Sequence, residues 1–230
     1  MKNNILIALL TFIWLVLMVD IIWRGTDGKW NVEDAEKISR LEVAQYTNQI
    51  MIVAVSDDGA RLCLYEKEEE WKLILETEAI IGKNGLGKTK EGDGKTPIGV
   101  FCFVEAFGIM ENPGTKIRYT QVKENDYWVD DSSSSYYNQF VSTDVVTKDW
   151  DMAERIVEFG ESYHYVLATS YNVERIRGKG SAVFLHCVSS EAESTAGCIA
   201  IPEQYMREIM KRLSLRCVII IDQTENILLY

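Results

Sequence analysis

The sequence predicts a mostly β (α+β) domain, sandwich-like or barrel-like with a few helices, preceded by an N-terminal transmembrane helix. Three observations predict it. Short β-rich runs follow one another from Gln49 onward, a single clear helical pattern appears near the C-terminal end, and an apolar stretch opens the chain. The overall balance, 47% hydrophobic and 26% charged over 230 residues, excludes a disordered, collagen-like or polytopic membrane protein.

Ile5 to Trp23 read as one apolar segment between Lys2 and Arg24. At about 1.5 Å per residue it spans roughly 28 Å, close to a hydrocarbon core of about 30 Å. Asp20-Ile21-Ile22-Trp23 offers no small-x-small cleavage site, and no cysteine there can carry a lipid. Residues 1–24 are therefore expected to be an uncleaved signal anchor. Residues 25–48 are expected to form a stalk, with Val32, Ala35, Ile38 and Leu41 at spacings near three that suggest a short amphipathic helix.

Residues 49–222 then form the domain, with 223–230 as a tail. Its predicted strands are Ile50–Val55, Arg61–Glu66, Trp71–Thr77, Val100–Phe107, Tyr163–Ser170, Ala182–His186 and Arg216–Asp222, separated by turn chemistry such as Asp57-Asp58-Gly59. A helix begins with Pro202 at its first helical position, its apolar face formed by Tyr205, Met206, Ile209, Met210 and Leu213. The Ser132–Ser135 run reads as a loop.

Several function classes drop out. A net charge of −11 repels a phosphate backbone, so nucleic acid is not an expected partner. Five irregularly spaced cysteines without a C-x-x-C motif signal neither a disulfide framework nor a zinc ribbon, and two histidines are too few for a histidine metal cage. Gly82 to Thr89 matches a phosphate-loop pattern, but two glycines and Pro97 stand where its helix should begin. The segment reads as a glycine-rich β-connection.

The remaining chemistry lies near the end of the chain. His186 closes the run Ala182–Leu185, and Gly197-Cys198-Ile199-Ala200-Ile201 follows a polar loop. A thiol needs a base to become a nucleophile near neutrality, and a nearby imidazole is that base. Gly197 permits a sharp bend, so the Gly197 and Cys198 amides can face a developing oxyanion. Spacing alone leaves the other reading open, a structural Cys198 and a satisfied His186. Cys63, Cys102 and Cys217 fit that structural reading in their apolar alternation, Cys187 is ambiguous, and His164 reads as an ordinary strand residue.

Three motifs in order give the chain a resemblance. Gly92-Asp-Gly-Lys-Thr96-Pro97-Ile-Gly99-Val-Phe101, Gly180-Ser-Ala-Val-Phe-Leu-His186 and Thr195-Ala-Gly197-Cys198-Ile199 resemble the hairpin, histidine strand and nucleophile motif of the L,D-transpeptidase (YkuD-like) family. The stretch from Tyr127-Trp128 to Tyr136-Tyr137-Asn138 is also similar to a segment in a bacterial branch of the family. The resemblance implies Cys198 as nucleophile, His186 as base oriented by a backbone carbonyl, and Gly197 at the turn. Thr195, Ser194 and Trp128 are the expected substrate contacts.

It further implies peptidoglycan stem peptides as substrate, acylation by carbapenems, no metal or organic cofactor, and a membrane-anchored domain outside the cytoplasm. Ala196 and Ala200 replace polar residues common in the family, and His186 stands closer to the cysteine than usual. Transfer to an amine, hydrolysis of the same acyl-enzyme and a non-catalytic wall-binding scaffold are therefore the alternatives. Lys95, Lys179 or Arg177 are candidates to hold a stem carboxylate, and Glu191 or Glu193 an amine.

Overall fold

The computed structural model describes residues 35–190 and 192–230. The expected span at 5–23 lies outside them, and among the described residues no helix is long and apolar enough to cross a membrane. Strands β1 (Gln49–Ser56), β2 (Gly59–Lys67), β3 (Trp71–Ala79), β4 (Gly99–Gly108), β9 (Val166–Thr169), β10 (Phe184–Cys187), β11 (Ile199–Ile201) and β12 (Val218–Gln223) form one sheet in the order β11-β10-β9-β4-β12-β1-β2-β3, with β5 (Tyr119–Gln121) beside β4. β1 pairs parallel with β12, and β10 parallel with β11. The two ends of the sheet meet where Ile80 and Ala200 exchange backbone hydrogen bonds, both 2.8 Å. The sheet is thus a nearly closed barrel.

Alternation along each strand sorts side chains into layers. Met51 and Val53, Leu62 and Leu64, Leu185 and Cys187, Ile199 and Ile201, and Ile219 and Ile221 fill the interior. The same core takes Met206, Ile209 and Met210 from the helix α2 (Glu203–Arg212). Each such aliphatic side chain contributes about 1.5–3 kcal/mol on full burial, so this interior holds the barrel together. The opposite face of β1 and β12 carries Ile50, Ile52 and Ile220. Ile38 of the single-turn helix α1 (Ala35–Ile38), Leu41 and Ile227 cover it. Parts of the expected stalk and tail therefore pack against the sheet.

The third layer is built by the chain between β4 and β9. Strands β6 (Asp126–Val129), β7 (Gln139–Ser142) and β8 (Glu154–Arg155) form a small sheet in the order β7-β6-β8, followed by a 3-10 segment, Ile156–Tyr163. This cap lays Trp128, Phe140, Ile156 and Tyr163 over Phe107, Val166, Ala168 and Phe184. Aromatic packing pins it, with the Trp128 and Phe184 rings 4.7 Å apart in edge-on contact.

Four expectations are corrected. Pro202 is the residue before the helix, with φ −56 and ψ 138, so α2 starts at Glu203. Tyr163 to Tyr165 are not strand, because the 3-10 segment and its Gly160 kink carry the chain to His164 before β9 begins. His164 is consequently no strand residue, and its Nδ1 pairs with Glu203 Oε2 at 2.8 Å. Cys102, expected inside, is exposed on β4. The glycine-rich segment after Ile81 contains turns and bridges and leads into no helix, as a β-connection should.

Candidate active site

The parallel pairing of β10 with β11 sets Leu185 against Ile199 and His186 against Ala200. One step earlier, the Phe184 amide donates to Cys198 Sγ at 3.4 Å. Leu185, Cys187, Ile199 and Ile201 turn into the barrel, so the alternate residues Phe184, His186 and Cys198 lie on the outer face beneath the cap. The imidazole and the thiol therefore share one face of two adjacent strands, each residue only 8% exposed. Cys187 points to the opposite face, with its thiol on the Tyr165 carbonyl, so a disulfide between Cys187 and Cys198 is ruled out by the pleat.

His186 Nδ1 lies 2.8 Å from the Cys187 carbonyl oxygen. A carbonyl only accepts, so Nδ1 carries the proton and Nε2 keeps its lone pair in the neutral ring. Burial holds the imidazole below its ordinary pKa, although the Cys187 and Ser162 carbonyls favour the charged form. The ring is thus neutral near pH 7. Tyr163 packs edge-on against it, ring centroids 5.4 Å apart.

Cys198 Sγ donates to the Ala182 carbonyl at 3.0 Å, and among the described residues no hydrogen bond joins it to the imidazole. Burial pushes its thiol up to about 12, with Glu154 adding to the rise while the Phe184 amide and Lys88 oppose it. At rest the thiol and the imidazole are therefore both neutral, rather than a thiolate–imidazolium ion pair.

The turn before Cys198 is self-supporting. Thr195 Oγ1 donates to the Cys198 carbonyl at 2.7 Å and accepts from the Gly197 amide at 3.1 Å. Gly197 has φ +146, and a Cβ there would lie 2.7 Å from the Lys95 carbonyl oxygen, so only glycine fits.

The other sequence-derived residues are spread around this centre. Trp128 is buried in the cap, its indole N–H on Asn138 Oδ1 at 3.1 Å, and it lines a cavity of about 210 Å³ with Phe140, Thr169 and Tyr171. Ser194 is exposed. Arg177 donates to the Ser132 and Ser133 carbonyls, and the Lys179 ammonium sits 5.8 Å from the centre of the Tyr171 ring. Glu193 is exposed, and Glu191 lies outside the described residues.

Sequence reasoning missed an acidic neighbour. Glu154 of β8 is driven up to about 7 by burial, against the lowering effect of the Tyr163 hydroxyl, which donates to its Oε2 at 2.7 Å. Asp130 and Glu91 add to that rise, and Glu91 accepts the hydroxyls of Tyr137 at 2.5 Å and Ser181 at 2.8 Å. No motif marks Glu154, since it reaches the thiol only through the folded cap.

The sequence model of the YkuD family, the L,D-transpeptidase catalytic domain, matches residues 50–221. No curated protein sequence matches. Similar solved structures include the helical cell shape determining protein Pgp2 of Campylobacter jejuni, at 15% identity and a TM-score of 0.41 over 76% of this chain and 48% of that one. An Enterococcus faecium L,D-transpeptidase follows at 13% identity and a TM-score of 0.39, covering 76% and 50%. L,D-transpeptidase 1 of Mycobacterium tuberculosis gives 14% and 0.37, covering 76% and 61%. This chain thus spans about half the length of the first two. Because the family model covers most of the chain, from the start of the barrel's first strand into its last, the protein belongs to the L,D-transpeptidase catalytic domain (YkuD) family.

Proposed function

We propose that the protein is a cysteine-dependent L,D-transpeptidase acting on peptidoglycan stem peptides, held at the outer face of the membrane by residues 1–24. The observation that carries the reading is the shared outer face of β10 and β11. There a neutral imidazole is fixed through Nδ1 to the Cys187 carbonyl, on the same face as the thiol of Cys198, the residue that leads into β11.

In this reading His186 Nε2 takes the Cys198 proton as sulfur attacks the carbonyl of the third stem residue. The tetrahedral intermediate collapses, the peptide C–N bond breaks, and the imidazolium gives its proton to the departing D-amino acid. An amine of a second stem then attacks the thioester, loses its proton to Nε2, and expels the thiolate as the new amide forms. Water in place of that amine gives trimming instead of cross-linking. The neutral resting pair supports a base that acts during attack, not a preformed thiolate.

The test is to incubate the full chain and its Cys198→Ala variant with disaccharide-tetrapeptides and to separate the products. Cross-linked dimers with release of the terminal D-amino acid support transfer. Tripeptide monomers alone establish the hydrolase. Unchanged substrate with the wild type refutes both and favours a scaffold.

A further inference from the structure

Tyr163 on the 3-10 segment, Glu154 on β8 and Lys88 from the glycine-rich connection each act on Cys198, and His186 of β10, packed on Tyr163, is the fourth ionisable group on this face. Glu154 raises the barrier to thiol ionisation, Tyr163 is a neutral phenol, and His186 is a neutral ring. Lys88 alone of these four brings a positive charge. It comes from the segment whose sequence mimics a phosphate loop.

Its route is built in. The Lys88 side chain is 3% exposed, and its Nζ lies 3.1 Å from Asp93 Oδ1. Asp93 is buried, which would raise it, yet the amides of Thr89, Lys90 and Lys95 and the Lys88 ammonium hold it well below the usual carboxylate range. The Lys88 stem passes under Gly180, where a Cβ would come within 2.5 Å of its Cε. Its tip ends at Gly197, where a Cβ would stand 3.3 Å from Nζ. Two glycines therefore make room for one buried lysine. Meanwhile the Gly197 amide is committed to the Thr195 hydroxyl, so it is not free to meet an oxyanion.

We propose that Lys88 is a positioning residue of the Cys198 site, its ammonium carried beneath the Gly197–Cys198 turn to favour the thiolate and the negative charge that develops there. Asp93 holds it in place and sets how much of its charge the sulfur feels. The proposal rests on Cys198 being the nucleophile. A buried Lys–Asp pair gives little stability over apolar packing, whereas in a water-poor site a fixed cation acts strongly on nearby charge.

The experiment measures alkylation of Cys198 by iodoacetamide against pH in the full chain, mapped by peptide mass, with exposed Cys102 as internal reference. It compares Lys88→Met, Lys88→Arg and Asp93→Asn with the wild type. Lys88→Met is expected to slow alkylation at fixed pH about tenfold, the equivalent of one pKa unit. Asp93→Asn, which unmasks the ammonium, is expected to speed it, and Lys88→Arg to stay near wild type. A purely structural pair would move both neutralising variants in the same direction. That outcome, or unchanged profiles in both, overturns the proposal. Should Lys88→Met fail to fold, Asp93→Asn against Lys88→Arg still decides the sign. The readout needs no wall substrate, so it fails or succeeds separately from the transpeptidase reading.

Discussion

Replacing Glu154 with Gln tests the environment that the cap creates over the thiol. The carboxyl moves from an ordinary 4.5 to about 7, chiefly through burial. Below pH 4.5 the group is protonated in both folded and unfolded chains and costs nothing. Between about 4.5 and 7 the unfolded chain ionises while the folded one stays protonated, so stability falls as pH rises. Above 7 the cost is constant, roughly 3 kcal/mol at about 1.4 kcal/mol per pKa unit. Glutamine keeps an acceptor for the Tyr163 hydroxyl and does not titrate. The variant is therefore expected to melt near the wild type at pH 4.5 and higher at pH 8, by roughly 6–12 °C for a domain of this size. The substitution leaves the other acidic groups near the cap in place, so the pH-dependent difference between the two proteins reports on position 154. Scanning calorimetry from pH 4.5 to 8 is the assay. A pH-independent difference, or a variant less stable at pH 8, would mean that Glu154 is not held protonated by burial in the folded protein.

Gly197→Ala forces a side chain into positive φ and against the Lys95 carbonyl, so a loss of roughly 2–4 kcal/mol in denaturant melts is expected, with abolished turnover. Thr195→Val strips both hydrogen bonds from the turn. It is expected to cost about 1–3 kcal/mol and to lower kcat more than it raises KM, with Thr195→Ser restoring most activity. Trp128→Ala removes an aromatic that seals the cap against Phe184 and is expected to destabilise by about 3–5 kcal/mol while speeding alkylation of Cys198 relative to Cys102.

The strands from β1 to β4 and β12 were legible because short runs of apolar, β-favouring residues bounded by turn chemistry are a local property. So was the face of α2, although the proline stood one position early. The cap was not legible. Its strands run only two to four residues and are stabilised by aromatic contacts with β4, β9 and β10 that no local pattern encodes. Cys198 and His186 could be named as candidates because the resemblance points to them, and the pleat of adjacent parallel strands puts them on one face. Glu154 and Lys88 could not, since each meets the cysteine through tertiary packing. Lys88 stood in plain view inside a misleading motif, and only the close approach to Gly180 and Gly197 reveals what that glycine-rich segment accommodates. Cys102 shows the converse limit, for apolar alternation on β4 did not reveal that its face is left open.

The most direct measurement is intact mass of the full chain after exposure to a carbapenem, with Cys198→Ala and His186→Gln alongside. A single adduct of the drug's mass on the wild type is expected, none on Cys198→Ala, and formation slowed roughly a hundredfold or more on His186→Gln, the usual worth of a positioned base. An adduct forming as fast on Cys198→Ala as on the wild type would contradict the assignment of this sulfur as the nucleophile.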